Sequence, residues 1–484
     1  MTDTIRFDAH IGGSWTGSSA LIDVREPSDW DNVIARVPAL TADVVRDGLA
    51  TARKGARLWA DTNALTRGQI LFKTAAILRD RSAELATLLA RENGKTLAEA
   101  TGEVAKSAEF FEFYGGLARL PYGDLIHDAR PNTTTTVRHE PVGVVLAITP
   151  WNDPLLTPAR KLAPALAAGN AVVLKPASNT PAIALELTRA LLDAGLPSEA
   201  ITTVTGKAGE IADAIIESTE IDAITFTGST RVGLDLQRKV AGRNVRIQCE
   251  MGGKNAAIVL ADADLELAAQ TVAAAGFGQA GQRCTATSRV LVESSVKDAF
   301  IKRLVAIADS MTLGPSLARD TVVGPLISRD QQSEVIGHVA RARAEGATVV
   351  TGGDTGEGST LERGCYVVPT VIDCDSADVS IWRDEVFGPV VAVLAVSSLQ
   401  EAIELANASD YGLSSALFTT NLAATDVFLR DIETGQAAVN LPTSGWDVHH
   451  PFGGFKLSGS PYKEQGLEAL GFYTRTKTCA VRSV

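Results

Sequence analysis

Cysteine is scarce in this chain. Five occur in 484 residues, scattered, odd in number and without a Cys-x-x-Cys pair, which excludes a disulfide framework. Histidine is scarce as well: of six, only His449 and His450 are adjacent. No third ligand stands at metal spacing, so no metal site is expected. No block of Lys and Arg interrupts a net charge of −12, which argues against nucleic acid as the main partner. A bound anion would have to rely on local basic groups or helix N-termini. No apolar run approaches the ~18 residues that span a bilayer. The start, Met1-Thr2-Asp3-Thr4, is polar and lacks a signal-peptide core, so no membrane partner and a cytoplasmic location are expected. Internal repeats and low-complexity linkers are missing, and so is the usual Gly-x-Gly-x-x-Gly dinucleotide fingerprint. Gly94-Lys95-Thr96 ends like a phosphate-binding P-loop, but Leu89 stands where its first glycine belongs. A helical pattern rather than a strand precedes it, and that reading is rejected.

What is present is ordinary for a folded protein, with 45% apolar and 21% charged residues. The length calls for two or three domains. After a short β start the first part reads as helical, with Ile70, Leu71, Ala75, Leu78, Leu85, Leu88 and Leu89 at helical spacing over 66–91. Residues 133–140 are β-branched and alternating, as in an exposed strand or hairpin arm. Strand patterns at 142–148, 171–174, 201–204, 221–226 and 246–249 then alternate with helical patterns at 158–168, 182–194, 208–217 and 230–240. A second series has strand patterns at 256–260, 288–292, 347–351, 390–396 and 415–419. Alternation of this kind predicts an α/β fold with two doubly wound parallel-sheet domains. Residues 1–125 with 145–252 are expected to form a cofactor-binding domain and 253–455 a catalytic domain. The β-rich pieces 126–144 and 465–484 would pair into a small oligomerisation element, or else pack as edge strands on their own domains.

Three segments carry candidate chemistry. Cys284 follows Gly281-Gln282-Arg283 in a loop after an Ala/Gly-rich helix. A thiol beside a cation and glycine-exposed amides is a setting for a lowered pKa. Cys249, Cys365, Cys374 and Cys479 read as packing residues. Glu250 ends a strand ahead of Gly252-Gly253, where open α/β sheets leave their ligand crevice. Phe226-Thr227-Gly228-Ser229-Thr230 follows a strand and opens a helix, so a phosphate could meet free N–H groups and the helix dipole there.

Seven segments together resemble the aldehyde dehydrogenase superfamily and occur in its order. They are Pro150-Trp151-Asn152, Leu174-Lys175-Pro176-Ala177-Ser178, Phe226 to Thr230, Glu250-Met251-Gly252-Gly253-Lys254, Gly281 to Cys284, Glu385-Val386-Phe387-Gly388-Pro389, and Pro451 to Gly459. The resemblance implies that Cys284 is the nucleophile and that Asn152, with the Cys284 N–H, holds the oxyanion. It implies hydride transfer to a nicotinamide and hydrolysis of the resulting thioester by water that Glu250 activates. It further implies that Trp151, Lys175, Ser178, Gly228 and Ser229 line the adenosine and pyrophosphate, that Glu385 holds the nicotinamide ribose and that Phe387 packs on the ring. Many NAD-preferring members have glutamate at position 178. A hydroxyl there, three residues after Lys175, suits a 2′-phosphate, so NADP is expected to be accepted alongside NAD and can be preferred.

On substrate, the motifs around Cys284, Asn440-Leu441-Pro442-Thr443-Ser444-Gly445 and Pro461-Tyr462-Lys463-Glu464-Gln465-Gly466 most resemble α-ketoglutarate semialdehyde (2,5-dioxopentanoate) dehydrogenases. Arg160 stands where relatives similar to succinate semialdehyde dehydrogenase place an arginine for the substrate carboxylate, and Arg283 is a second candidate. The bland alternative for Arg160 is a surface ion pair. An aromatic or general aliphatic aldehyde is the runner-up substrate. A coenzyme-A-acylating relative usually lacks the base that Glu250 supplies. A non-catalytic structural or binding protein on this fold would be marked by loss of Cys284 or Glu250. A homodimer or homotetramer is expected.

Overall fold

The computed structural model describes residues 4–120 and 123–484. The first large sheet has five parallel strands, in the spatial order Arg246–Glu250, Ala223–Thr227, Val144–Ile148, Ala171–Lys175 and Ile201–Thr203, and the antiparallel pair Ala9–Ile11 and Ser14–Thr16 extends its edge. The central strands Val144–Ile148 and Ala171–Lys175 read as near-continuous runs of Val, Ile, Leu and Ala because helices cover both faces. Chain order reverses at Val144–Ile148, which has its successor on one side and Ala223–Thr227 on the other. In such a sheet the crevice opens beyond the carboxyl ends of these two strands. The segments that follow them are Trp151-Asn152 and Gly228-Ser229.

The second sheet runs Thr348–Thr351, Thr370–Cys374, Val390–Val396, Thr287–Glu293, Asn255–Val259, Ser414–Phe418 and Gln436–Val439, parallel except for its first edge strand. Its strands Asn255–Val259 and Thr287–Glu293 begin just after the Glu250 and Cys284 loops, so its amino ends face the carboxyl ends of the first sheet.

The predicted alternation is present in both halves, with boundaries a residue or two apart from the patterns. Three expectations need correction. The β start is not short: Leu21–Glu26 and Asp29–Pro38 form a hairpin, with Ile5–Arg6 alongside, before the first helix Ala42–Asp61. The helical stretch 66–91 is two helices, Ala64–Asp80 and Ser82–Asn93, broken at Arg81, whose guanidinium ties Glu84 and Glu186. Strands Thr370–Cys374 and Gln436–Val439 are additions to the predicted set.

The two outlying β pieces do pair. Thr474–Arg482 lies antiparallel to Thr133–Pro141 over nine residues, and Gly123–Ile126 adds a third strand. This small sheet exposes Leu125 and Val481. Just ahead of it, Ala469, Phe472 and Tyr473 pack into the core of the first domain. Gly94, the glycine of the rejected P-loop, is a left-handed helix cap, and Thr96 with Glu99 forms a capping box on Leu97–Leu117. Among the described residues no helix is long and apolar enough to cross a membrane.

Candidate active site

Between the two sheets lies a cavity of about 570 Å³. The structure brings Trp151, Asn152, Gly228, Ser229 and Glu250 to its wall from the first domain. From the second it brings Cys284, Arg283, Glu385 and Phe387, and Arg160 also lines it.

Cys284 sits in a loop held from several directions. Gln279 and Ala280 are non-glycine residues with φ of 51° and 52°, followed by Gly281 at 69°. Two consecutive side-chain-bearing residues in the left-handed region are costly and persist only where the surroundings over-determine them. Here Glu99 Oε1 accepts from the Gln279 N–H at 2.7 Å, and Asp153 Oδ1 accepts from Gln279 Nε2 at 2.8 Å. A Cβ at Gly281 would collide with the Gly388 carbonyl. Downstream, Asn255 Nδ2 donates to the carbonyls of Cys284 and Ala286, each at 2.8 Å. The Cys284 N–H itself makes no hydrogen bond among the described residues.

Opposite, Lys95 fixes the Asn152 backbone. Its Nζ donates to the Asn152 carbonyl at 2.9 Å and to Asp153 at 3.1 Å, and it pairs with Glu103. Glu103 in turn accepts from the N–H groups of Leu155 and Leu156. The Asn152 side-chain amide has no protein partner among the described residues and stays available to the cavity.

Electrostatics at the thiol correct the sequence expectation. Burial pushes the Cys284 thiol up to about 12. The cation that opposes this is Arg160, not the sequence neighbour Arg283, and Asp153, Glu385 and Glu250 push in the same direction as burial. Arg283 Nε is occupied by the Gln279 side chain. Glu250 is buried at the end of its strand. Burial, then Glu464, raises its carboxyl well above the usual range, against Lys161, Lys463 and Arg160.

Arg160 is not the surface ion pair of the bland reading. Its Nη1 donates to Glu464 Oε2 at 3.1 Å, its guanidinium stacks 4.9 Å from the centre of the Phe452 ring, and its Nε is buried without a partner. Glu464 also pairs with fully buried Lys161 and accepts from Thr227 at 3.1 Å.

At the other end, Glu385 Oε1 accepts from the Gly253 N–H at 2.9 Å, and burial lifts Glu385 to about 7. Phe387 has a φ of 54° and meets Trp151 edge to face at 5.3 Å. Gln331, which the sequence did not single out, holds this loop by donating to the Phe387 carbonyl at 3.2 Å. Lys175 and Ser178 do not line the cavity. Lys175 Nζ donates to the Pro176 carbonyl at 2.7 Å, and Ser178 Oγ donates to that of Gly206 at 3.2 Å. Burial lowers Lys175 to about 8. Among the described residues no group of three or more His, Cys, Asp or Glu side chains is placed to hold a metal ion.

The sequence model of the aldehyde dehydrogenase family matches residues 15–479. The chain belongs to the aldehyde dehydrogenase family. An α-ketoglutarate semialdehyde dehydrogenase of Haloferax volcanii is 39% identical, over 99% of each chain. A malonate-semialdehyde dehydrogenase of Shouchella clausii is 35% identical, over 98% of this chain and 96% of its own. A solved betaine aldehyde dehydrogenase of Staphylococcus aureus, in complex with NAD+, superposes with a TM-score of 0.95 at 33% identity, over 98% of this chain and 95% of its own. This aldehyde dehydrogenase is accordingly an NAD(P)-dependent oxidoreductase.

Proposed function

We propose that the enzyme oxidises a short aldehyde bearing a carboxylate at its far end, with α-ketoglutarate semialdehyde as the leading candidate, through a thioester on Cys284. The observation that carries the substrate class is the pair of guanidinium groups, Arg160 and Arg283, on the wall of the cavity that holds the thiol. The semialdehyde relatives support it.

The residues present fit a dinucleotide. The helix Thr230–Val240 opens at the cavity with an N-cap, Ser229, that makes no side-chain capping bond, so its first N–H groups are open to a phosphate. The Trp151–Phe387 pair and Glu385 would hold the nicotinamide end. When bound, the nicotinamide supplies the hydride acceptor.

The chain's own groups do the rest. The Cys284 thiol gives up its proton, to Glu250 or to water, as its sulfur attacks the aldehyde carbon, forming a C–S bond and turning the carbonyl oxygen into an anion. The Asn152 side-chain amide and the Cys284 N–H donate to that oxygen. Loss of hydride from the same carbon restores the C=O as a thioester. Glu250 takes a proton from water, the hydroxide adds to the thioester carbon, and the C–S bond breaks to release the carboxylate and the thiol. No step needs a metal from the protein.

Arg160 tests the substrate class. Its guanidinium can offer a carboxylate donors beyond the one that Glu464 uses, and a neutral aldehyde gains nothing from them. Because its charge also opposes the raised Cys284 thiol, Arg160→Ala is expected to lower kcat/KM for any aldehyde, and by at least roughly tenfold more for a semialdehyde acid than for a neutral aldehyde of similar length. Lys161 still partners Glu464 in that variant, so the buried Glu464 carboxylate keeps a cation. Equal losses for both substrates, or a wild-type preference for benzaldehyde or hexanal, would contradict the reading.

We also propose that NADP is accepted and favoured, with Lys175 and Ser178 around the 2′-phosphate. Their place beyond the main cavity, at the carboxyl end of strand Ala171–Lys175, suits the far end of a dinucleotide whose pyrophosphate sits at Ser229. Ser178→Glu is expected to shift the ratio of the two kcat/KM values toward NAD by roughly tenfold or more, because a carboxylate repels the phosphate and accepts from free ribose hydroxyls. An unchanged ratio would remove both residues from the 2′ position.

A further inference from the structure

Behind Glu250 runs an unbroken line of buried polar side chains. Lys161 Nζ donates to Thr225 Oγ1 at 2.9 Å, Thr225 Oγ1 donates to Gln248 Oε1 at 2.6 Å, and Gln248 Nε2 donates to Glu250 Oε1 at 3.2 Å. All four residues are at most 2% exposed. The line follows from the fold. Thr225 and Gln248 are register partners on neighbouring parallel strands. Gln248 and Glu250, two apart on one strand, share a face. Lys161 comes from the covering helix Leu156–Ala167 and is anchored by Glu464.

The line also has a direction. An ammonium has only donors to give, and an ionised carboxylate only accepts. Thr225 therefore accepts from Lys161 and has its hydroxyl proton for the Gln248 oxygen, which turns the amide NH2 toward Glu250. In the ionised form of Glu250, the one that acts as a base, the reverse amide orientation would set its oxygen against the carboxylate. Donors aligned from cation to anion polarise one another. Glu250 Oε2, in contrast, is buried with no protein partner among the described residues.

We propose that Gln248 is a positioning residue for the hydrolytic step, which ties one oxygen of the Glu250 carboxylate to the back of the cavity and leaves the other for the attacking water. The proposal rests on the reading of Glu250 as the base. An apolar residue at 248 would leave both carboxylate oxygens untied and strand the Thr225 hydroxyl. The other charged or titratable groups facing Glu250 are Glu464, Lys463, Arg160, the neighbouring Cys249 and, across the cavity, Cys284. None of these reaches either Glu250 oxygen with a hydrogen bond among the described residues.

The pH dependence has a definite sign. A hydrogen bond donated to a carboxylate favours its charged form. Removing it raises the pH at which Glu250 becomes a base, so the hydrolysis profile moves upward in pH. A role confined to packing would change stability without moving that midpoint.

The test uses the full chain without cofactor and p-nitrophenyl acetate as the acyl donor. The initial burst of nitrophenolate reads acylation at Cys284, and the slow phase reads hydrolysis of the acyl-enzyme. Gln248→Met and Thr225→Val are compared with wild type and with Glu250→Gln across pH. For Gln248→Met we expect an unchanged burst amplitude, a slow phase reduced roughly threefold to tenfold at neutral pH, and a midpoint displaced upward. Thr225→Val, which keeps Gln248 but frees its amide to turn, should move both quantities in the same direction by less. If both variants keep the wild-type midpoint and slow phase while Glu250→Gln loses the slow phase, Gln248 has no positioning role and the base assignment stands. If Glu250→Gln keeps the slow phase, the base assignment falls and the proposal falls with it. Should Gln248→Met give no burst because it does not fold, Thr225→Val decides alone, and an unmoved midpoint overturns the proposal.

Discussion

Replacing Cys284 with alanine is expected to abolish aldehyde oxidation, by more than roughly 10⁴-fold in kcat, while cofactor affinity stays at the wild-type level. The first half follows from the inventory of thiols. Cys249, Cys365 and Cys374 are buried away from the cavity, and burial pushes each thiol up, to about 11 or 12. Cys479 lies on the strand Thr474–Arg482 of the small third sheet. None of the four lines the cavity, so no second sulfur can take over. The second half follows from placement, since Trp151, Ser229, Glu385 and Phe387 owe nothing of their position to the thiol. Cofactor binding by fluorescence titration and NAD(P)H formation by absorbance would read the two halves separately. More than a trace of turnover in the alanine variant would remove Cys284 as nucleophile, and a loss of cofactor binding would overturn the second half. The raised thiol adds a sign. Thiolate is a minor species at neutral pH when the pKa is about 12, so alkylation of the free enzyme by iodoacetamide should be slow at neutral pH and accelerate as pH rises.

The parallel domains were legible because their strands are buried on both faces and their helices are long enough to alternate cleanly with them. Val144–Ile148 and Ala171–Lys175 read as strands from composition alone. The strands that escaped notice carry weaker signals. Gln436–Val439 is half alanine, which has little strand preference, and Thr370–Cys374 ends in a charge and a thiol. The early hairpin Asp29–Pro38 mixes charges into its alternation, and its partner Leu21–Glu26 supplies what the local pattern lacks. At the site, motif residues were legible one by one, whereas their electrostatics were not. A sequence shows Arg283 beside Cys284, but it is the packing of helix Leu156–Ala167 that brings Arg160 to bear on the thiol. Lys161 and Glu464 lie 303 positions apart, and Gln248 meets Thr225 only through strand register. A buried ion pair or a side-chain clamp is made by tertiary contact, and no periodicity marks it in advance.

Glu250→Gln is expected to separate the two halves of the reaction. Attack by the Cys284 sulfur and loss of hydride need the oxyanion donors and the acceptor, and these remain. Hydrolysis needs a group that removes a proton from water, and an amide cannot. Rapid mixing with aldehyde and cofactor should therefore give a burst of NAD(P)H near one per active site, followed by a steady rate lower by roughly 10²- to 10⁴-fold, the usual contribution of a positioned general base. The wild-type profile supplies the sign on pH. Burial and Glu464 raise the Glu250 carboxyl well above the usual range, and the base is its ionised form. A deacylation-limited kcat should rise as pH climbs through that elevated pKa, and this rise should vanish in the glutamine variant. The burst itself contains a further distinction. The Cys284 proton must go somewhere when sulfur attacks, and Glu250 is one of the carboxylates bearing on that thiol. If Glu250 also receives that proton, the burst keeps its amplitude but slows. If it acts on water alone, amplitude and rate both survive. Equal loss of burst amplitude and steady rate would assign Glu250 to the acylation half instead, and a steady rate equal to wild type would leave the hydrolytic water without the base placed here.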